Sequence, residues 1–215
     1  MGVEYRHFLV PRDRTFRPAP PQLARLVERL VADRWLPRDP PALRIDGAEA
    51  APWPLDVRAF TALAARDVSA RWDVDDIHAL RYPFATPLVE DEGYYRLRLD
   101  LGVDLHHHAG ELVDPVDRVC ACGASLEHAR DHTFVRLRAR CPACGAGFDP
   151  SATPVEIRDW NGEAHVLLGG GAYRFGLVVD VGKCIPPPPP VLHADLVRLV
   201  GDVLGVEVVD FGDIY

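Results

Sequence analysis

The amino-acid sequence predicts an α+β (mixed α/β) protein, with helices packed on a β-sheet and a cysteine-bearing β-hairpin inserted into it. Three observations lead there. Segments 22–36 and 191–204 repeat apolar residues at helical spacing. Several other segments, 94–105 above all, alternate apolar and polar residues with the period of a strand. Four of the five cysteines fall between positions 118 and 150 as two close pairs, within a stretch that fits neither flanking pattern.

Taken in order, Glu4 to Val10 (EYRHFLV) is short, apolar and aromatic, and predicts a strand. A loop bearing proline and arginine follows. Leu23, Leu26, Val27, Leu30, Val31 and Trp35 then line one face of a helix over 22–36, with Pro20 and Pro21 at its start and Pro37 ending it. Ala42 to Asp46 predicts a short strand, and Ala48 to Leu55 a loop. Phe60, Leu63, Ala64 and Val68 predict a helix or broken helix over 57–72. The stretch 73–92 is acidic and irregular. Tyr94 to Leu105 (YYRLRLDLGVDL) predicts one strand, with His106, His107 and His108 directly after it.

Beyond the cysteines, 154–160 and 163–168 flank Asn161-Gly162, the pair that a type I′ hairpin turn favours. Gly169 to Gly171 predicts a flexible joint, and Tyr173 to Asp180 an apolar strand. Pro186 to Pro190 is an unbroken run that must adopt a stiff polyproline conformation. Leu192, Leu196, Leu199, Val200, Val203 and Leu204 mark a second amphipathic helix, stopped by Gly205, before a last strand from Val206 to Phe211. The two chain ends share an order: strand, proline loop, helix. That order predicts a pseudo-repeat of the two ends. The expected division is a core domain of 1–115 plus 151–215, with 116–150 as the insert.

Composition narrows the function classes. With 48% hydrophobic and 26% charged residues, the 215-residue chain can bury a core and is not globally disordered. A net charge of −8 argues against nucleic-acid binding by the whole surface. No apolar run approaches the length of a membrane-spanning helix. The first residues, Met1 to His7, lack the basic-then-apolar pattern of a secretory leader, so a cytoplasmic address with reduced thiols is expected. Arginine, alanine and proline richness, with Lys183 the single lysine, suggests a GC-rich bacterial source.

The insert carries the chemistry. Cys120-Ala-Cys122-Gly and Cys141-Pro-Ala-Cys144-Gly are each followed at once by glycine, which takes the positive φ that a metal-binding turn needs. Two such pairs offer four thiolates, the set Zn²⁺ prefers in a closed, structural tetrahedron. Thr133 to Ala139 predicts a hairpin arm feeding the second pair. The first pair is a residue shorter than the usual Cys-x-x-Cys. His128 or His132 could therefore replace one cysteine. A disulfide pair is the other alternative.

Over these roughly 33 residues the chain resembles a zinc ribbon. The resemblance implies Cys120, Cys122, Cys141 and Cys144 as ligands of a structural Zn²⁺. The wider pattern of YRHFLVPR, CxCG…CPxCG and GKC also resembles uncharacterised bacterial proteins, some of them labelled transporter ATPases. That label gains no support here. A phosphate loop needs a glycine where Leu177 stands and a hydroxyl residue where Cys184 stands.

Arg136, Arg138 and Arg140 recur at period two, and the insert carries five arginines against Glu127, Asp131 and Asp149. This basic edge is either a surface for an anionic or protein partner, or a solvated hairpin face that Glu90-Asp91-Glu92 could satisfy internally. His106 and His108, with Asp104 and Glu111 nearby, offer metal or acid/base chemistry, or else a solvated strand end. Cys184 beside Lys183 offers a reactive thiol, or a half-buried cysteine at a strand end. The leading expectation is a non-enzymatic binding or adaptor protein with structural zinc and no catalytic residues. A nucleic-acid-associated zinc-ribbon protein is the second, and a small-molecule enzyme using His106, His108, Lys183 or Cys184 the third.

Overall fold

The computed structural model describes residues 5–45, 48–51, 54–74, 80–85, 95–109, 118–131, 134–152, 154–158, 164–181 and 191–214. In chain order the elements are β1 (Tyr5–Pro11), α1 (Pro20–Ala32), β2 (Leu43–Ile45), β3 (Ala48–Ala51), α2 (Val57–Ala64), β4 (Val68–Val74), β5 (Tyr95–Leu101), β6 (Leu105–Ala109), β7 (Glu127–Asp131), β8 (Phe134–Arg138), β9 (Pro154–Arg158), β10 (Ala164–Leu168), β11 (Ala172–Tyr173), β12 (Phe175–Val181), α3 (Ala194–Leu204) and β13 (Val208–Ile214). The fold is α+β, with three helices and antiparallel sheets. The main sheet has the order β13-β1-β12-β5-β4-β2-β3. A four-stranded sheet has the order β11-β6-β8-β7, and β9 and β10 form a separate hairpin.

One face of the main sheet is apolar. Leu9, Trp72, Leu97, Leu99 and Leu177 bury there against Leu26 and Leu30 of α1, Phe60 of α2, and Leu196 and Val200 of α3. Strand periodicity sends the alternate side chains to the opposite face. That face is built differently: Arg6, Arg98, Asp100 and Asp180 are all buried on it, and the four-stranded sheet reaches it from the other side.

The two apolar helices form as predicted, with one changed end. α1 stops at Ala32, because Arg34 takes a left-handed φ of 63°. Trp35 and Leu36 then double back, and both of their N–H groups donate to the Leu30 carbonyl. They reach the core through this reversal and not along the helix. α3 ends at Gly205, φ 70°, as its sequence requires.

Five other expectations are corrected. The helix expected over 57–72 ends at Ala64, and Val68, Ala70, Trp72 and Val74 alternate as a buried strand. Val68 fits a helical stripe and a strand face equally, and the sheet decides. Ala48–Ala51, expected as loop, is an edge strand on β2 despite its poor strand formers. The single strand over 94–105 breaks at Gly102, where a Cβ would overlap the Leu105 carbonyl oxygen. Asp67 Oδ1 holds that turn by accepting from Val103, Asp104 and Leu105 N–H at 2.5, 3.0 and 3.0 Å. The strand expected over 173–180 changes sheets at Arg174. Gly169 and Gly170 form a buried turn, φ 79° and 54°, and not a flexible joint.

β1 and β12, the strands that open the two similar ends, lie side by side and antiparallel, and each leads through a loop to a helix of the same layer. The Asn161-Gly162 turn and the Pro186–Pro190 run lie outside the described residues.

Candidate metal centre

Two loops carry the cysteines. In the first, Gly123 N–H donates to Cys120 O at 2.8 Å, which closes a four-residue turn, and Cys120 N–H donates to Ala124 O at 2.9 Å. In the second, Gly145 N–H donates to Cys141 O at 3.0 Å, which closes a five-residue turn, and Cys141 N–H donates to Ala146 O at 2.8 Å. Gly123 and Gly145 take φ of 86° and 73°, in the region where L-residues are strained. The shorter Cys-x-Cys spacing is thus absorbed by a tighter turn that uses the same glycine device. Both knuckles keep their sulfurs on one side.

The four sulfurs lie within 4.8 Å of one another. Across the knuckles, Cys120 Sγ sits 3.7 Å from Cys144 Sγ, and Cys122 Sγ sits 3.5 Å from Cys141 Sγ. A tetrahedron with Zn–S bonds of about 2.3 Å has edges of about 3.8 Å. Disulfide bonds would need about 2.05 Å, and all four cysteines are unbridged. Thiols this close cannot ionise independently. The Cys144 N–H, aided by that of Ala143, draws the Cys141 thiol down to about 6. The Ala146 N–H favours a thiolate at Cys144 as well, yet the sulfurs of Cys141, Cys120 and Cys122 push it up to about 12. A bound cation removes this conflict by attracting all four thiolates. Such a cluster can therefore hold a metal ion such as zinc. His128 is exposed on β7 and is not part of the cluster. His132 lies outside the described residues.

The hairpin beneath the site joins the core directly. β8 pairs with β6, and β6 with β11. Leu126 and Leu137 bury under the knuckles, and Phe148 packs on Leu137. Ala139 N–H donates to Asp104 O at 2.8 Å. Arg136, Arg138 and Arg140 do alternate with buried Val135 and Leu137, but they differ from one another. Arg136 is half-buried and donates to Ser69 Oγ of β4 at 2.9 Å, Arg138 is half-buried, and Arg140 is exposed.

The histidines are not a solvated strand end. His106, His107 and His108 are buried within β6. His106 packs edge-on against Phe148, and its Nε2 lies 3.4 Å from Arg174 Nη2. Burial, with Arg174 second, lowers its pKa to about 4. His107 stacks on Tyr173 and reaches Leu101 O with Nε2 at 3.0 Å, and burial lowers its pKa too. His106 and His107 are thus neutral packing groups at neutral pH. Lys183, Cys184, Glu111 and the acidic loop 90–92 lie outside the described residues.

Sequence reasoning missed the polar face of the main sheet. Asp100, fully buried, accepts from Arg98 Nε and Nη2 at 2.8 and 2.9 Å, Ser69 Oγ at 2.8 Å and Tyr173 Oη at 2.7 Å. Burial alone would raise its carboxyl, but the Arg98 guanidinium, then His107 and the hydrogen bonds, hold it well below the usual range. Beside it a charge ladder crosses five strands. Arg6 meets Asp180 at 3.0 Å, Asp180 meets Arg96 at 3.9 Å, Arg96 meets Asp73 at 3.2 Å, and Asp73 meets Arg44 and Arg71 at 3.4 Å each. The available signal was the alternation of Arg96, Arg98 and Asp100 with leucines in one strand. Buried and solvated polar faces look the same at that level.

Among the described residues, no helix is long and apolar enough to cross a membrane, which leaves β-barrels untested. Compared with known proteins, the chain matches no family model, no curated protein and no solved structure.

Proposed function

We propose that Cys120, Cys122, Cys141 and Cys144 hold one structural Zn²⁺ in a zinc-ribbon module, and that the protein is a non-enzymatic binding or adaptor protein of the bacterial cytoplasm. The observation that carries the reading is the sulfur cluster, whose 3.5 and 3.7 Å separations fit the edge of a Zn–S₄ tetrahedron. Four thiolates close the coordination shell, so such a metal has no open position for substrate. Unbridged cysteines fit a reducing compartment. Zinc in such sites contributes about 10–16 kcal/mol, enough to hold the small cluster of Leu126, Leu137 and Phe148 that could not order two loops unaided. The module is the inserted unit of the core, and the neighbouring β1–α1 and β12–α3 units are two halves of a pseudo-repeat.

The partner surface is the basic edge at Arg138 and Arg140, with Arg136 anchoring that edge to Ser69. It suits an anionic or protein partner. The acidic total of −8 disfavours nucleic acid.

Metal content by mass spectrometry, with thermal melts in the presence and absence of chelator, tests the zinc reading. One zinc per chain and a large loss of stability on chelation are expected. An absence of metal in protein expressed with zinc would overturn it. Salt-sensitive partner binding that survives Arg138→Gln/Arg140→Gln would overturn the assignment of the basic edge.

A further inference from the structure

The polar face of the main sheet is completed at one end and left open at the other. At Asp100 every charge is matched by short hydrogen bonds and shielded from water. At the β2–β4 end, three guanidiniums, those of Arg44, Arg71 and Arg96, share the single carboxylate of Asp73 at 3.4, 3.4 and 3.2 Å. All three approach through Nε, and Arg71 Nε, though buried, is not aligned to donate a hydrogen bond. The strand register adds to the imbalance. Arg44 lies directly opposite Arg71, and Arg71 opposite Arg98. Like charges placed so are destabilising. Asp100 neutralises Arg98, which leaves a surplus of two positive charges around Asp73. The side chains of Arg44 and Arg71 are 46% and 37% exposed, and their Nη groups have no partner among the described residues.

We propose that Arg44 and Arg71 form an anion site for a phosphoryl monoester, separate from the metal centre and from the hairpin edge. A phosphoryl group carries about −1.5 to −2 charge at neutral pH, which matches the surplus. Its three oxygens can take donors from two guanidinium forks, whereas a single carboxylate is filled by one. Bound there, it would relieve the Arg44–Arg71 repulsion that Asp73 only partly offsets.

Calorimetric titration of inorganic phosphate into the full-length, metal-loaded protein at low ionic strength tests this, with chloride at matched ionic strength as the control. One saturable site is expected. Arg44→Gln/Arg71→Gln should weaken it roughly a hundredfold, tenfold for each charge-assisted contact removed. Asp73→Asn should bind phosphate several-fold tighter, because a competing anion is gone. A purely structural Asp73 would not give that sign. A nucleoside monophosphate and a phosphoserine peptide with neutral flanks, titrated in parallel, distinguish a free metabolite from a modified protein as the source. The proposal fails if neither phosphate nor either ester gives saturable binding. It also fails if the folded double variant binds as well as the unaltered protein, or if folded Asp73→Asn binds more weakly.

Discussion

Replacing Asp100 tests whether its polar cluster holds the metal-bearing sheet to the main one. The carboxylate is fully buried and accepts from Arg98, Ser69 and Tyr173. Asp100→Ala removes the acceptor and leaves the Arg98 charge buried without a counter-ion. Breaking a buried pair in this way costs about 3–5 kcal/mol, and the stranded Tyr173 and Ser69 hydroxyls add to it, so the expected loss is about 5 kcal/mol. That is a large share of the roughly 5–15 kcal/mol that stabilises a domain. Asp100→Asn keeps one acceptor and should lose about 3 kcal/mol. Arg98→Met/Asp100→Leu/Tyr173→Phe removes every member together and should recover more than half of the Asp100→Ala loss, because the penalty comes from the abandoned partners. Urea unfolding followed by tryptophan fluorescence reads all three variants, with buried Trp35 and Trp72 as reporters. A loss below about 1 kcal/mol in Asp100→Ala would refute the claim that this carboxylate is the hub.

Other expectations follow from single sites. Asp67→Ala strands three N–H groups of the 102–105 turn and should cost about 2–3 kcal/mol, read by urea unfolding, while Asp67→Asn, which keeps an acceptor, should cost less. Gly145→Ala meets no atom within 4 Å, so its effect is conformational, from φ 73° alone; about 1–2 kcal/mol of strain should appear as weaker metal retention in a chelator competition. His106, with a folded pKa of about 4 against an ordinary 6.5, binds its proton more readily when unfolded. Its contribution is complete above about pH 6.5 and is lost as pH falls toward 4, by about 3 kcal/mol in all. The surrounding Arg174, Asp149, Asp67 and His107 are the charges that set this value. Comparing the slope of stability against pH in His106→Phe with that of the unaltered protein isolates the term, since any metal-linked slope is common to both.

The parts of the fold legible in sequence are those written locally. The stripes of α1 and α3, the strands β1 and β13, and the paired cysteines with their trailing glycines all follow from neighbouring residues. What was not legible depends on residues distant in the chain. Val68 sits four positions after Ala64 and continues a helical stripe on paper, but pairing with β5 turns Val68, Ala70, Trp72 and Val74 into a strand face. The break at Gly102 depends on Asp67, which no local pattern connects to it. The three histidines resemble a polar strand end until Phe148, Arg174 and Tyr173 are seen to enclose two of them.

The Asp100 cluster also explains why the four-stranded sheet sits on a polar surface. Apolar contacts between two sheets tolerate sliding, because the hydrophobic effect has no direction. The contacts used here are directional: Tyr173 of β11 to Asp100, Arg136 of β8 to Ser69, and His107 of β6 to the Leu101 carbonyl. Each fixes a different strand of the small sheet against the large one, and a shift of one residue would break all three together. The cost is the desolvation of Arg98 and Asp100, which an apolar pair would avoid. What that cost secures is the register between the sheets. The two knuckles extend from β7 and β8, so the place of the sulfur cluster on the protein surface is set by the same three hydrogen bonds.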